Sequence, residues 1–285
     1  MQINNCELQL SEFKMESLRY NRDGEFLCPR VCIIGQSGSG KSYVTREILY
    51  QLKDIPCTTI ICPTDRLNKF YDTMVHSSYI YHKYRPTIVP KILNRQNIIL
   101  DKNKERTKKD KKEIDPRISF VMDDCMAESH LWLKDENIRE IMCQGRHYKI
   151  TYILTLQYSL GIPPDIRNNF NFVFLMGEDS CINREKLFKH WCSIVPSFKL
   201  FEQIFMTVTQ NYGCLVINNT IKDSDITKRI FWFRARKLDD FKVGSNKFKL
   251  FHDENYDNEH DKKKTSFNIL NFDKKNTSIK VKMLE

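Results

Sequence analysis

Short apolar runs alternate with helical patterns along most of the chain. Val31-Cys32-Ile33-Ile34 and Thr58-Thr59-Ile60-Ile61-Cys62 are continuous β-rich runs, and between them Val44, Ile48 and Leu52 recur at every fourth position, as on one face of a helix. Further strands are predicted at 118–122, 151–156, 171–175, 214–218 and 229–233, and further helices at 87–114, 133–143 and 182–207. Alternation of this kind predicts an α/β fold, in which a mainly parallel central sheet lies between two layers of helices and the last two strands form an antiparallel addition.

The pattern weakens at both ends of the chain. Residues 1–27 are polar and mixed, and we predict an N-terminal extension there that could include an edge strand. The α/β domain is predicted to span 28–243, and residues 244–285, which include Lys262-Lys263-Lys264, are predicted to be a poorly packed polar tail. The chain has no run of ~18 apolar residues and no signal-peptide pattern, so we expect neither a transmembrane segment nor a cleaved leader.

The composition adds a positive charge and many cysteines to this picture. The 285 residues carry a formal net charge of +10, which is typical either of a nucleic-acid partner or of solvated lysines in a chain of biased composition. The same alternatives, a DNA-contacting loop or a solvated surface, apply to residues 101–113, which hold seven Lys/Arg and four Asp/Glu. The ten cysteines form no C-x-x-C pair, so we expect buried free thiols in a reducing, intracellular compartment.

A segment with the P-loop pattern G-x-x-x-x-G-K-[ST] follows the first predicted strand. It consists of Gly35, Gln36, Ser37, Gly38, Ser39, Gly40, Lys41 and Ser42. Its glycines let the backbone curl so that N–H groups point at phosphate oxygens, and the helix that follows adds its positive N-terminal end. Lys41 would contact the β- and γ-phosphates, and the hydroxyl of Ser42 would bind Mg²⁺. The segment therefore predicts a nucleoside triphosphate site with ATP and Mg²⁺ as its ligands.

Polar residues also follow two later strands. Asp123 and Asp124 come directly after the strand at 118–122, as in a Walker B motif. Asp123 would hold Mg²⁺ through its water shell, and Asp124 would activate the attacking water. Adjacent strand residues point to opposite faces, so both can act only if the chain bends out of the strand here. Gln157 ends the strand at 151–156, where its amide could hold that water or sense the γ-phosphate, or could simply bond to a loop.

Two arginines precede predicted strands. Arg146 lies before the strand at 151–156, and Arg167 lies before the strand at 171–175. Either could be an arginine finger that reaches the γ-phosphate of a neighbouring subunit, a role worth ~10³–10⁵ in rate, or could pair with a local carboxylate. The Phe and Tyr residues between 198 and 212 have spacings typical of core helices, and we interpret them as core.

As an ordered set, these motifs resemble those of the genome-packaging ATPases of large nucleocytoplasmic DNA viruses, the poxvirus-type members of the FtsK/HerA superfamily. The segments concerned are the P-loop, Phe120-Val121-Met122-Asp123-Asp124-Cys125, Gly145-Arg146-His147-Tyr148-Lys149, Thr155-Leu156-Gln157-Tyr158 and Leu160-Gly161-Ile162-Pro163-Pro164 with Arg167. The resemblance covers roughly residues 28–240. Asp124 stands where wider relatives commonly have Glu, and the viral members resemble this chain in carrying two Asp.

The resemblance implies a P-loop ATPase core in which an extra strand, the one that ends at Gln157, lies between the P-loop strand and the Walker B strand. It also implies a homo-oligomeric ring, typically a hexamer, that hydrolyses ATP to move double-stranded DNA into a capsid. Capsid or inner-membrane virion proteins would be further partners. The host cytoplasm, at the site of virus assembly, and the virion would be its locations.

Two other functions fit a P-loop. A small-molecule kinase of the nucleoside or nucleotide type would need an acceptor site and usually an Arg-rich lid, and no compact lid of this kind follows Asp124. A scaffold that binds ATP without hydrolysing it is disfavoured because Lys41, Ser42, Asp123 and Asp124 are all intact.

Overall fold

An eight-stranded sheet forms the centre of the molecule, with the strand order β3-β2-β4-β5-β1-β6-β7-β8. The structure is a computed structural model that describes residues 7–21, 23–158 and 161–257. The strands are β1 (Arg30–Ile34), β2 (Cys57–Ile61), β3 (Ile80–Tyr81), β4 (Ile118–Met122), β5 (Ile150–Leu156), β6 (Phe172–Met176), β7 (Gly213–Asn218) and β8 (Ile230–Arg234). The α-helices are α1 (Lys41–Gln51), α2 (Asp65–Asn68), α3 (Ile88–Thr107), α4 (Ser129–Trp132), α5 (Glu136–Gln144), α6 (Pro164–Arg167), α7 (Cys181–Trp191), α8 (Phe198–Val208) and α9 (Asn246–Asn255).

The strand β5 lies between β1 and β4 and is parallel to both. In this register Ile34 is opposite Leu156, and Met122 is opposite Leu154. The carboxyl ends of β1, β4 and β5 therefore meet at one edge of the sheet, which we call the carboxyl edge. This arrangement confirms the predicted extra strand between the P-loop strand and the Walker B strand.

The sheet continues from β1 through β6, which is parallel, to β7 and β8, which are antiparallel as predicted. The reversal of strand direction at β7 determines at which edge of the sheet its first residues lie. Because Cys214 of β7 is opposite Met176 at the end of β6, the strand β7 begins at the carboxyl edge. The turn before β7 therefore lies at the same edge as the P-loop.

Helices cover both faces of the sheet, and consecutive strand residues alternate between two buried clusters. Cys32 and Ile34 belong to the cluster that α3, α5, α7 and α8 cover, whereas Val31 and Ile33 belong to the cluster under α1. Strands with two covered faces have almost no exposed positions, which is why they appear in the sequence as continuous apolar runs. The fold is thus the predicted three-layer α/β sandwich.

The N-terminal residues are part of this core. Phe13, Met15 and Leu18 are buried in the cluster under α1. The backbone N–H of Phe13 donates to Trp232 O at 2.8 Å, and Glu12 forms an isolated bridge to the same β8 residue. The predicted extension thus runs along the edge strand without becoming a regular strand. The three core residues of the extension are isolated apolar residues among polar ones. They therefore form no periodic pattern from which a helix or strand could be predicted.

The predicted polar tail is also ordered in its first part. Residues Asn246–Asn255 form α9, which begins with the Ser245 side chain accepting from the N–H of Phe248. The ring of Phe248 stacks on Tyr79 at a centroid distance of 3.4 Å. The first part of the predicted tail is therefore a helix that is docked through one aromatic residue, whereas Leu250 and Phe251 of the same helix are exposed. Lys262-Lys263-Lys264 lies outside the described residues.

Helix boundaries differ from the predicted ones where capping and proline intervene. The helix predicted at 182–207 is two helices, α7 and α8, and Pro196 lies between them. The helix predicted at 87–114 ends at Thr107, so the charged stretch at 101–113 forms its last turns and an irregular segment. The helix predicted at 133–143 begins at Glu136, where Asp135 caps it. None of the helices in the described ranges is both long enough and apolar enough to cross a membrane.

Buried thiols and one buried carboxylate complete the packing. The nine cysteines in the described part of the chain are free, and all except Cys143 and Cys181 are buried. Glu47, in the middle of α1, is fully buried. Its carboxylate accepts from the backbone N–H of Arg236 at 2.8 Å and from Nε of the same residue at 2.9 Å. The segment after β8 is thereby held against the P-loop helix.

The packing of Phe13 gives a test of whether the N-terminal residues belong to the core. Its ring makes edge-to-face contacts with Phe172 and Phe174, each at 5.6 Å between centroids. We expect Phe13→Ala to lower the free energy of unfolding by about 3–5 kcal/mol because it leaves a cavity between these rings. Leu8→Ala, at a position that is 40% exposed, should change it by less than about 1 kcal/mol. Urea denaturation of both variants measures the change in the free energy of unfolding. Equal stability of the two variants would contradict the assignment of Phe13 to the core.

Candidate active site

The P-loop joins the end of β1 to the start of α1, and glycine is required at two of its positions. Gly40 has φ = 100°, a left-handed conformation that other residues rarely adopt. A Cβ atom on Gly35 would lie 2.5 Å from Cβ of Met176 and 2.6 Å from Oγ of Ser39. The loop can therefore pass this close to β6 only with glycine at position 35. The tight curl leaves the Ser39 hydroxyl buried without a hydrogen-bond partner among the described residues, so this hydroxyl suits a polar ligand of the loop.

Lys41 points back over this loop. Its ammonium group donates to Gly35 O at 2.7 Å and to Gln36 O at 2.8 Å. Burial lowers the pKa of Lys41, and the negative charges of Asp123 and Asp124 act in the opposite direction. Both carboxylates are thus within electrostatic reach of the lysine, which has the position that a phosphate-binding ammonium needs.

The two aspartates diverge at the end of β4. The N–H of Asp123 donates to Ile61 O at 2.9 Å and so continues the pairing with β2, whereas Asp124 has φ = 55° and leaves the strand. This left-handed residue is the bend that the sequence required for both carboxylates to act. The side chain of Asp123 is 6% exposed, and that of Asp124 turns towards Gln157.

Thr155 of β5 connects the two aspartates. Its hydroxyl donates to Oδ1 of Asp123 and accepts from the N–H of Asp124 at 3.1 Å. Thr155 is not among the residues that the sequence motifs predict for the site. A signal was present, because Thr155 precedes Gln157 by two positions and so faces the same side of the strand. Thr155 fixes the carboxylate of one aspartate and the backbone of the other.

Gln157 and Asp124 form a hydrogen-bonded pair. The amide Nε2 of Gln157 donates to Oδ1 of Asp124. Burial raises the pKa of Asp124, and the charge of Asp123 raises it further, whereas the Gln157 hydrogen bond and Lys41 lower it. A carboxylate with a raised pKa is a stronger proton acceptor once it is ionised. An amide beside it can position a water molecule for that transfer.

The residues present suit a magnesium–triphosphate ligand. Mg²⁺ prefers hard oxygen ligands and is usually bound through one or two carboxylates together with substrate phosphates. Asp123 provides a carboxylate whose donors, Thr155 and Cys62, are neutral, so its charge is left for a cation. Ser42, in the first turn of α1, provides a hydroxyl. Ser42 and Asp123 would therefore hold the metal, with Lys41 and the P-loop N–H groups on the phosphates.

A cavity of about 350 Å³ opens beside the P-loop, on the side away from β4. Gly35, Gln157, Tyr158, Met176 and Glu178 are among its lining residues. Glu178, which follows β6, accepts from Nε2 of Gln36 at 2.8 Å and ties this loop residue to the next strand. Sequence analysis did not identify Glu178, because a single acid after a strand has no distinctive spacing.

The two arginines lie away from this cluster. Arg146 precedes β5 and is exposed. Burial lowers the pKa of Arg30 at the start of β1, and the charge of the nearby Arg146 lowers it further. The guanidinium group of Arg167 lies 5.7 Å from the ring centroid of Trp191, the last residue of α7. Both arginines are therefore at the amino ends of the strands, opposite Lys41. The structure does not bring them to the P-loop of the same subunit.

A model of the poxvirus A32 protein family matches residues 10–235 of this chain. The chain belongs to the poxvirus A32 protein family. This membership confirms the resemblance to genome-packaging ATPases of large DNA viruses. The matched range begins within the predicted N-terminal extension and includes the buried residues Phe13 and Met15, in agreement with their place in the core.

Large DNA viruses encode relatives of this A32-family protein. It is 36% identical over 247 residues to uncharacterized protein L437 of Acanthamoeba polyphaga mimivirus, with 87% of this chain and 86% of that protein covered. It is 30% identical over 236 residues to uncharacterized protein 015R of Frog virus 3 (isolate Goorha), with 80% and 69% covered.

Two solved structures are similar to this chain at low sequence identity. The conjugation coupling protein TcpA of pCW3, solved with ATPγS, is 15% identical and superimposes with a TM-score of 0.51, covering 74% of the A32-family chain and 61% of TcpA. The genome packaging NTPase B204 of Sulfolobus turreted icosahedral virus 2, solved with AMPPCP, is 16% identical with a TM-score of 0.49, covering 74% and 99%. The likeness to TcpA confirms the P-loop NTPase fold.

The separate roles of Lys41 and Asp124 can be tested by substitution. We expect Lys41→Ala to abolish ATP turnover, because the variant lacks the ammonium group on the phosphates. Asp124→Asn keeps the shape but cannot accept a proton, so it should bind ATP normally and lower kcat by roughly 10²–10⁴-fold. Asp101→Asn, at an exposed position of α3, is the control. Equilibrium ATP binding and single-turnover rates measure both effects, and normal turnover by Asp124→Asn would exclude it as the base.

Proposed function

We propose that this A32-family protein is an ATP-hydrolysing translocase that moves double-stranded DNA and packages a viral genome into a capsid. The observation that carries the proposal is the hydrogen bond from Gln157 to Asp124 beside Lys41. A paired amide and carboxylate at the phosphate site suit the activation of water, so the site favours hydrolysis over transfer to a small-molecule acceptor. Membership of the A32 family supports the role in packaging.

Each residue has a defined part in the proposed hydrolysis. The P-loop N–H groups and Lys41 bind and orient the phosphates, and bound Mg²⁺ would neutralise their charge. Gln157 orients the attacking water, and Asp124 accepts its proton. Thr155 positions the backbone of Asp124 and the side chain of Asp123, so both carboxylates keep one geometry through the cycle.

A ring, which we propose to be a hexamer, would complete the site. Arginine at the γ-phosphate is a common device in P-loop enzymes, and it can come from a neighbouring subunit. Arg146 and Arg167 lie at the edge opposite the P-loop, where a head-to-tail contact can present them to the next subunit, and such contacts close into rings. The exposure of Arg146 makes it the better candidate, because Arg167 already lies over Trp191.

The DNA contact would be made through phosphates. The chain carries a net charge of +10, and a packaging motor must accept any base sequence. Residues 101–113 and the tail beyond 257 remain candidates for part of this contact. DNA packaging by this protein would take place at the virus assembly site in the host cytoplasm, with capsid or inner-membrane virion proteins as partners.

The central test is the ATPase rate with and without double-stranded DNA, measured together with the mass of the oligomer. We expect a ring-sized mass, strong stimulation by DNA of any sequence, and DNA affinity that falls steeply between about 50 and 200 mM salt because counterions are released. The Lys41→Ala variant is the control for contaminating ATPase. The translocase function would be ruled out by a monomer whose ATPase rate does not change when DNA is added. DNA binding that is independent of salt would also rule it out.

The trans arginine can be tested by mixing subunits. Arg146→Ala or Arg167→Ala protein is combined with Lys41→Ala protein, neither of which should hydrolyse ATP alone. If the arginine acts in trans, some mixed interfaces join an intact P-loop to an intact arginine, and part of the activity returns. Mixing Lys41→Ala with Asp124→Asn protein is the control, because both lesions affect the P-loop side. If mixtures with one of the arginine variants recover no ATPase activity, that arginine does not act in trans.

A further inference from the structure

Tyr212 is an exposed aromatic residue next to the P-loop. Its side chain is 70% exposed, although its sequence spacing predicted a core position, as is found for Phe201 and Phe205 of α8. A Cβ atom built on Gly40 would lie 3.7 Å from both Cβ and Cδ1 of Tyr212. The ring therefore lies at van der Waals distance from the start of α1, because β7 runs antiparallel and begins at the carboxyl edge.

The backbone that presents this ring is strained. Asn211 has φ = 52° and ψ = 49°, and Tyr212 has φ = 61°, so two successive residues with side chains are left-handed. Conformations of this kind persist where the surroundings impose them, and they are common at ligand sites. The sequence has asparagine and tyrosine here, where glycine would adopt the same turn without strain.

The neighbours of the turn fix it in place. The guanidinium group of Arg234, at the end of β8, donates to Gln210 O at 3.3 Å. A Cβ atom on Gly213 would lie 2.1 Å from Val208 O, so the chain after Tyr212 passes close to the end of α8. The position of the tyrosine is thus set by α8 on one side and by β8 on the other.

The order of the strands determines where a nucleoside must point. The groups for the γ-phosphate, Asp124 and Gln157, lie on β4 and β5, which are on one side of β1. The γ-phosphate faces those groups, and the α-phosphate and the nucleoside therefore extend to the other side, over β6 and β7. Tyr212 immediately precedes β7 and lies beside Gly40 at the N-terminus of α1, where the phosphates would bind.

We propose that Tyr212 is the stacking platform for the base of the bound nucleotide. This proposal rests on the nucleoside triphosphate site proposed above and adds the group that holds its base. An aromatic face attracts any planar base and offers no pattern of donors and acceptors, so stacking gives affinity with little discrimination between bases. The residue is a binding residue, and the chemistry at the γ-phosphate does not involve it.

The test compares Mg²⁺-ATP with Mg²⁺-tripolyphosphate, which has the phosphates but no base. We expect the wild-type protein to bind ATP more tightly than tripolyphosphate. Tyr212→Ala should weaken ATP binding by roughly 5- to 150-fold, the range expected when one stacked base is lost, and leave tripolyphosphate binding unchanged. Tyr212→Phe keeps the ring and should bind ATP as the wild type does.

Two further variants test whether a loss of ATP affinity in Tyr212→Ala comes from a structural change. Tyr212→Gly removes the ring and relieves the left-handed strain, so it should be at least as stable as the wild type and yet lose as much ATP affinity as Tyr212→Ala. Tyr20→Ala removes another exposed tyrosine, which is 50% exposed. It is far from the P-loop, since the neighbouring Arg19 bonds to Asp54, just beyond the opposite end of α1. This variant should bind both ligands normally.

The outcomes separate this proposal from the one on which it rests. Unchanged ATP affinity in Tyr212→Ala, or an equal loss for ATP and tripolyphosphate, would overturn the stacking role while the triphosphate site stands. Wild-type protein that binds both ligands equally would also overturn it. Wild-type protein that binds neither ligand would overturn the triphosphate site itself, and the stacking role with it.

Discussion

Parallel pairing of β5 with β1 on one side and β4 on the other determines where the reactive side chains lie. Each strand delivers its last residues to the same edge, so the P-loop, the aspartates and Gln157 meet although more than a hundred residues separate the first from the last. The pairing also places Thr155 directly between Asp123 and Asp124. A slip of β5 by one residue would turn Thr155 and Gln157 to the other face and dismantle the site.

The charge distribution at this edge follows from that arrangement. Two carboxylates lie close together at the end of one strand, and burial together with their mutual repulsion raises the pKa of Asp124. Lys41 is partly neutralised by them, and its ammonium group also bonds to two carbonyl groups of the P-loop. A polyanion that carries a divalent cation would match such a site, because Lys41 would bind the phosphates and Asp123 would hold the cation.

Much of the fold and of this edge could be predicted from the sequence, because buried parallel strands are continuous apolar runs and the residues after them are polar. That logic predicted that Lys41, Asp123, Asp124 and Gln157 would lie together at one edge, and it also predicted the bend at Asp124. It did not single out Thr155, because the position two residues before Gln157 indicates only the face of the strand, and the partners of Thr155 are set by the register of two strands. Nor could it identify Tyr212, since helical spacing does not reveal that the chain reverses after α8 and carries the ring into solvent.

Glu47 and Arg236 connect the P-loop helix to the segment that follows the last strand. Glu47 lies in the middle of the helix that starts at the P-loop. Its carboxylate accepts hydrogen bonds from the backbone N–H and the guanidinium group of Arg236, just beyond the last strand. Pulling these groups apart would leave a carboxylate uncompensated in the interior, which is very costly. The helix that begins at the P-loop and the segment that leaves the outer strand are therefore fixed to each other across the face of the sheet.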